Sequence, residues 1–181
     1  IRLKTYEHAL RHGVLAASKT VLVQVAVPSR EGVHEYAEMR RRVEETVGRI
    51  NGEYSEPGRV SVHYFRRSLG RDELVAYYLA ADVMVVTPLR DGMNLVAKEY
   101  VSVRTDGSGV LVLSEFAGAA RELRRAILVN PRDIDGFALA LKEAATLPTA
   151  DARMRMNILR SQVRRHDVFD WASEFLEHLA S

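Results

Sequence analysis

Apolar residues along the chain fall into two alternating kinds of segment. Short β-branched runs are each followed by a longer stretch whose apolar positions recur three and four apart, the pattern of parallel strands joined by crossover helices. Strands are predicted at 20–27, 60–65, 83–87, 110–114 and 126–129. The first helix is predicted at 2–11. In the second, Tyr36, Met39, Val43, Val47 and Ile50 share one face, and Asn51-Gly52 is the expected stop. Leu74, Tyr77, Tyr78 and Ala81 mark a third helix, 94–104 a fourth, 119–124 a short helical turn, and 134–146 a further helix with Asp133 as its cap. After Pro148 the strands stop. Two terminal helices, 150–166 and 171–180, are expected there with Thr149 and Asp170 as caps and with Trp171 and Phe175 in packing roles. The fold class is therefore α/β: one domain over 1–181, a doubly wound, mostly parallel sheet with helices on both faces, and 149–181 packing on or crossing from it.

One boundary in this pattern carries chemistry. The apolar run 83–87 stops at Pro88, which cannot continue a ladder, and the chain restarts as a helix after Asp91-Gly92-Met93-Asn94. Asn94 is a good helix N-cap. A helix start beyond the carboxyl end of a strand offers unpaired N–H groups and about half a positive charge, which suits a phosphate or a row of sugar hydroxyls. Glu99 stands one turn on, on the face of Leu95, where a carboxylate can accept two hydrogen bonds from a ribose diol. Ligands of open parallel sheets bind at this edge. It also carries Pro28-Ser29-Arg30, Arg66-Arg67-Ser68-Leu69 and Glu115-Phe116-Ala117-Gly118, which offer arginines for anions and acids for hydroxyls.

Composition narrows the function classes. With 47% hydrophobic and 28% charged residues, the 181-residue chain is ordinary for a soluble domain, and no apolar run approaches the ~20 residues that span a bilayer. It contains no cysteine, which removes disulfides, thiolate nucleophiles and cysteine metal sites and fits a cytoplasmic setting. The net charge is +2, but Arg40-Arg41-Arg42, Arg66-Arg67, Arg124-Arg125 and Arg164-Arg165 are interleaved with acids, so they read as solvated helix surface rather than a nucleic-acid interface.

Other chemistries find little support. Asp106-Gly107-Ser108-Gly109 precedes a strand, whereas a dinucleotide fingerprint follows one, so it reads as a turn, and there is no GxxxxGK[ST]. His8 and His12 have metal-ligand spacing but no third ligand suggests itself. No serine sits in a nucleophile elbow. A receiver-like or phosphatase domain needs an aspartate where the first strand ends, and Val27-Pro28-Ser29 has none.

The run Thr87-Pro88-Leu89-Arg90-Asp91-Gly92-Met93-Asn94-Leu95-Val96-Ala97-Lys98-Glu99-Tyr100 closely resembles the sugar-donor motif of the trehalose-6-phosphate synthase family. Those enzymes are retaining glycosyltransferases with two Rossmann-like domains. The resemblance extends to Val23-Gln24-Val25-Ala26-Val27-Pro28-Ser29-Arg30, Ser114-Glu115-Phe116-Ala117-Gly118-Ala119 and Val129-Asn130-Pro131. It implies glucosyl transfer from a nucleotide sugar, usually UDP-glucose, to glucose 6-phosphate with retention, without a metal or cofactor. Carried over by match, Asp91 and the amides of Gly92, Met93 and Asn94 would hold the glucose hydroxyls. The amides of Asn94 and Leu95 would meet the distal phosphate, Glu99 the ribose, and Val96 would line the nucleotide site. Arg30 matches the arginine facing the acceptor phosphate. Leu69 stands, more loosely, where the family has a hydrophobic residue near the uracil.

Family members carry an arginine and a lysine-glycine pair for the diphosphate upstream of the position of Ile1, preceded by an acceptor-binding domain. On this reading the chain is the carboxyl-terminal, sugar-donor half. Its partner is the missing amino-terminal domain, a homo-oligomer is compatible, and the isolated chain should bind the sugar donor weakly without turnover. Two alternatives keep part of the picture: a related retaining glucosyltransferase with another acceptor, and a non-catalytic nucleotide-sugar-binding regulatory module.

Overall fold

The computed structural model describes residues 1–28, 34–165 and 176–177. Its elements run α1 (Arg2–Arg11), β1 (Leu22–Val25), α2 (His34–Tyr54), β2 (Val62–Phe65), α3 (Arg71–Ala80), β3 (Val83–Val86), α4 (Leu95–Val103), β4 (Val110–Ser114), a 3-10 turn (Gly118–Arg121), β5 (Ile127–Val129), α5 (Ile134–Thr146) and α6 (Thr149–Arg165). Strands and helices alternate and every strand pairing is parallel, as the hydrophobic pattern predicts. The pairings form two groups, β1-β2 and β3-β4-β5, rather than one run of five. The pattern marks a buried strand through its β-branched residues but carries nothing about which neighbour it takes.

The described residues gather into two compact units, one from Ile1–Leu74 with Arg132–Lys142, the other from Val75–Pro131 with the described residues after Lys142. In the first unit, α1 packs on α2, and Tyr6 donates its hydroxyl proton to the carbonyls of Thr20 and Ser61 at 3.1 and 3.3 Å. Glu7, buried in α1, accepts two bonds from the Arg49 guanidinium at 2.6 and 2.9 Å. Asp133 caps α5 as expected, accepting the Gly136 N–H at 3.0 Å.

Two expectations fail in this unit. Asn51-Gly52 does not end α2, which continues to Tyr54. The Asn51 amide bonds both backbone groups of Val62 in β2, at 2.9 and 2.8 Å, so its side chain is committed across to a strand instead of terminating the helix. Ile50 is fully buried, but Tyr36 and Met39 are exposed and line an open cleft of about 650 Å³ with Ala26, Pro28, Val43 and Tyr64. Helical spacing defines an apolar face and says nothing of what covers it.

In the second unit, β4 is buried along its whole length, as a strand with neighbours on both sides must be. α4 and α6 pack against each other and on β4, burying Tyr100, Val101, Met156 and Leu159. Residues 106–109 form the expected turn, with the Ser108 N–H bonded to Asp106 at 3.3 Å. α6 begins at Thr149 itself, so Thr149 is helical and not the preceding cap. The expected helix over 171–180, Asp170 and the packing roles of Trp171 and Phe175 lie outside the described residues. Among the described residues no helix is long and apolar enough to cross a membrane.

Candidate functional site

β3 ends at Val86, two residues before Pro88, and the chain turns through 88–94 into α4. Asn94 occupies the left-handed region at φ 78°, ψ 86°, and is the only described non-glycine residue with positive φ. Asparagine tolerates this conformation because its short amide can bond the adjacent backbone. Here the amide bonds one backbone group and one side chain. The Asn94 Oδ1 accepts the Ala97 N–H at 3.0 Å, and its Nδ2 donates to Asp91 Oδ2 at 2.8 Å. The other Asp91 oxygen accepts the Met93 N–H at 3.1 Å. With Ala97 capped, the N–H groups of Leu95 and Val96 are the first-turn groups for which α4 itself has no acceptor, and both residues are exposed.

The turn is stitched to the segment after β4. Asp91 and Ala117 form a parallel bridge: the Asp91 N–H donates to the Phe116 carbonyl at 3.3 Å and the Gly118 N–H to the Asp91 carbonyl at 3.0 Å. The Ala119 N–H adds a bond to the Met93 carbonyl at 2.7 Å. This approach requires glycine at 118, since a Cβ there would stand 1.9 Å from the Gly92 carbonyl oxygen. A salt bridge of 2.7 Å from Lys98 to Glu122 ties α4 to the same segment.

Glu99 is exposed on α4, and its Oε2 accepts the Tyr78 hydroxyl at 3.0 Å. Neither neighbouring cation is its partner. Lys98 is taken by Glu122, and Arg104 is buried with its guanidinium on the carbonyls of Tyr78, Leu79, Ala81 and Ser108. Burial first, then the Glu99 bond and charge, push the Tyr78 hydroxyl well above the usual tyrosine range, so it remains a protonated donor.

The structure thus brings Asp91, Gly92, Met93, Asn94, Leu95, Val96 and Glu99 onto one turn and the helix it opens. Leu69 is half-buried in the segment between β2 and α3, in the first unit. Arg30 lies outside the described residues. Arg67, counted in the sequence as a cation for an anionic ligand, is bonded to Glu73, one of its two bonds measuring 2.9 Å. Tyr78 and Gly118 were missed as site residues. Tyr78 stands 21 positions from Glu99 and reads from its spacing as core, which its burial bears out, and nothing in the sequence reveals where its hydroxyl goes. The His8 and His12 rings lie with centroids 4.2 Å apart and planes tilted by 35°, and His8 Nε2 lies 2.9 Å from Asp135.

Parallel strands with crossover helices and a capped, amide-presenting helix start beyond β3 define an α/β domain of the Rossmann-like class. The chain belongs to glycosyltransferase family 20, whose model matches residues 1–181. It is 54% identical over 180 residues to the trehalose-6-phosphate synthase of Mycobacterium bovis, covering 99% of this chain and 36% of that protein; the Mycobacterium leprae synthase matches at the same identity. Among solved structures it is similar to an α,α-trehalose-phosphate synthase (UDP-forming) from Burkholderia xenovorans in complex with glucose-6-phosphate. That match has a TM-score of 0.93 and 42% identity, over 99% of this chain and 40% of that one. An E. coli trehalose-6-phosphate structure bound with UDP-2-fluoro glucose matches with a TM-score of 0.93 at 40% identity, over 98% of this chain and 40% of that one. The chain spans a little over a third of the length of the curated relatives it matches.

Proposed function

We propose that this chain supplies the sugar-donor site of a trehalose-6-phosphate synthase, which moves glucose from UDP-glucose to glucose 6-phosphate with retention and gives α,α-trehalose 6-phosphate. The observation that carries this reading is the Asp91–Asn94–Ala97 arrangement, in which a left-handed asparagine caps α4 and leaves the Leu95 and Val96 amides open at the carboxyl end of β3. Asp91 and the amides of Gly92, Met93 and Asn94 hold the glucose hydroxyls, the Met93 N–H exchanging its bond to Asp91 Oδ1 for the sugar. The amides of Asn94 and Leu95 receive the distal phosphate, Val96 lines the nucleotide site, and Glu99 takes the ribose diol. Leu69 flanks the uracil and Arg30 faces the acceptor phosphate. The relatives with UDP-forming names, and with glucose-6-phosphate and a UDP-glucose analogue bound, support both substrates.

The leaving group is a diphosphate whose charge grows as the glycosidic bond breaks. A fixed helix N-terminus stabilises that charge without reorganising. Attack from the same face, assisted by the departing phosphate, retains configuration without a protein nucleophile, so Asp91 and Glu99 are binding groups and not the carboxylate pair of a glycosidase. The residues around α4 need no metal for these roles. The acceptor half comes from an amino-terminal domain joined to this one, and a cysteine-free chain acting on sugar phosphates fits the cytoplasm.

An NMR titration of the chain with UDP-glucose tests the assignment. Saturable shifts centred on 91–99 and lost in Glu99→Ala are expected, with no trehalose 6-phosphate formed by the chain alone. Shifts confined to other segments, or unchanged in the variant, would overturn the site.

A further inference from the structure

Glu99 is an exposed carboxylate on a flexible side chain, and its ribose-binding role demands one orientation of that carboxylate. Free in water, such a side chain samples several rotamers, and ordering it on binding opposes affinity. The structure supplies a restraint from beneath. Tyr78 is buried, its ring set edge-on to Tyr100 with centroids 6.1 Å apart and planes at 80°, and its hydroxyl donates to Glu99 Oε2 at 3.0 Å.

Tyr78 is itself fixed. It lies in the last turn of α3, and the buried Arg104 guanidinium donates to the carbonyls of Tyr78 at 3.1 Å, Leu79 at 2.5 Å and Ala81 at 3.3 Å, a cationic cap on the carboxyl end of that helix. Gly109 makes room for this cluster. It sits at φ 84°, and a Cβ on it would stand 2.2 Å from the Tyr100 hydroxyl and 3.1 Å from the Arg104 Nε. A rigid chain therefore runs from Arg104 through the end of α3 to Tyr78 and ends on one oxygen of Glu99.

We propose that Tyr78 is a positioning residue for the nucleotide: by holding Glu99 Oε2 it presents the carboxylate's remaining acceptor positions to the ribose diol, and so sets discrimination between ribo- and deoxyribonucleotide donors. This inference rests on the reading that Glu99 receives the ribose. A carboxylate has about four acceptor positions, so one bond to Tyr78 leaves enough for two hydroxyls. Tyr78 touches no substrate; its effect passes through Glu99.

The test is an NMR titration of the full chain, and of its Tyr78→Phe, Tyr100→Phe and Glu99→Ala variants, with UDP and with 2′-deoxy-UDP. Tyr78→Phe keeps the ring and its edge-on contact and deletes only the hydroxyl. It should weaken UDP roughly three- to tenfold, about the net worth of one ordinary hydrogen bond, and 2′-deoxy-UDP less than about twofold, narrowing the preference for the ribonucleotide. Tyr100→Phe removes a neighbouring buried hydroxyl bonded to the Ala81 carbonyl at 3.2 Å and should leave the preference intact. If Glu99→Ala narrows the preference and Tyr78→Phe does not, the ribose reading stands and the positioning role is overturned. The role is equally overturned if Tyr78→Phe weakens both nucleotides alike, or if Tyr100→Phe narrows the preference as much, since either marks a general packing effect. Failure of the chain to bind either nucleotide, or an unchanged preference in Glu99→Ala, overturns the ribose reading and the inference with it.

Discussion

Asn94 Nδ2 and Asp91 Oδ2 lie 2.8 Å apart, so the residue that caps α4 also clamps the carboxylate assigned to the sugar. The same asparagine side chain thus organises two parts of the site, one through its oxygen and one through its nitrogen.

Substitution at Asn94 should separate these contributions. Asn94→Ala removes the cap and the Asp91 bond and places a Cβ-bearing residue without local compensation at φ 78°, so it should destabilise by about 2–3 kcal/mol. Asn94→Gly relieves the backbone and should lose only about 1 kcal/mol. Thermal denaturation of the two variants gives the order. Nucleotide-sugar binding should be lost in both, because each frees Asp91.

Gly118→Ala should damage the site although Gly118 itself has no assigned contact with the ligand. The new methyl would fall 1.9 Å from the Gly92 carbonyl oxygen, which is backbone and cannot swing aside like a flexible side chain. The turn over 91–93 must move away from the segment after β4. A loss of at least tenfold in UDP-glucose affinity with the far-UV circular dichroism retained is the expected result; wild-type affinity would show that the two loops are not held together.

Arg104→Ala should be strongly destabilising, at about 2–4 kcal/mol, because it empties a buried site and removes the guanidinium from the Tyr78 and Leu79 carbonyls at once. Arg104→Lys should recover less than half of that loss, since an ammonium cannot reproduce the spread of a guanidinium. Chemical denaturation midpoints check both.

Glu7 makes the acid limb of stability partly predictable. The hydrogen bond from Arg49 is the main cause holding its carboxyl below the usual glutamate range, with the charges of Arg49, Arg11 and Lys4 assisting against burial. Since the folded form binds this proton less readily than the unfolded form, the contribution is complete above about pH 5. It fades as pH falls through the ordinary value near ~4.3 and on through the lower folded value. Glu7→Gln should therefore lower the melting temperature at pH 7 and flatten its decline between pH 6 and 3; parallel curves for the two proteins would remove Glu7 from the acid response.

Much of this architecture can be read from residues alone, and the parts that cannot share a physical cause. Strands announce themselves through β-branched runs, and Asn94 and Asp133 as caps, because a cap acts within three residues of itself. Asn51 is misread for the complementary reason: an asparagine before a glycine is a local stop signal, yet its amide is engaged 11 positions away on β2. Met39 keeps helical spacing with Ile50, but only Ile50 meets a covering surface. The grouping of the five strands, the Tyr78–Glu99 bond and the fit of Gly118 against Gly92 all join residues distant in sequence. Composition and periodicity have no access to such pairings.

The parallel bridge between Asp91 and Ala117 also bears on how the chain can change over generations. Because three backbone bonds lock the loop after β3 to the loop after β4 in fixed register, neither can gain or lose a residue by itself. A single-codon insertion between 91 and 93 would put the Met93 bond out of register with the two at Asp91 unless matched by a compensating one between 118 and 119. Length variation in descendants of this sequence should therefore accumulate elsewhere, while these two stretches drift only in step.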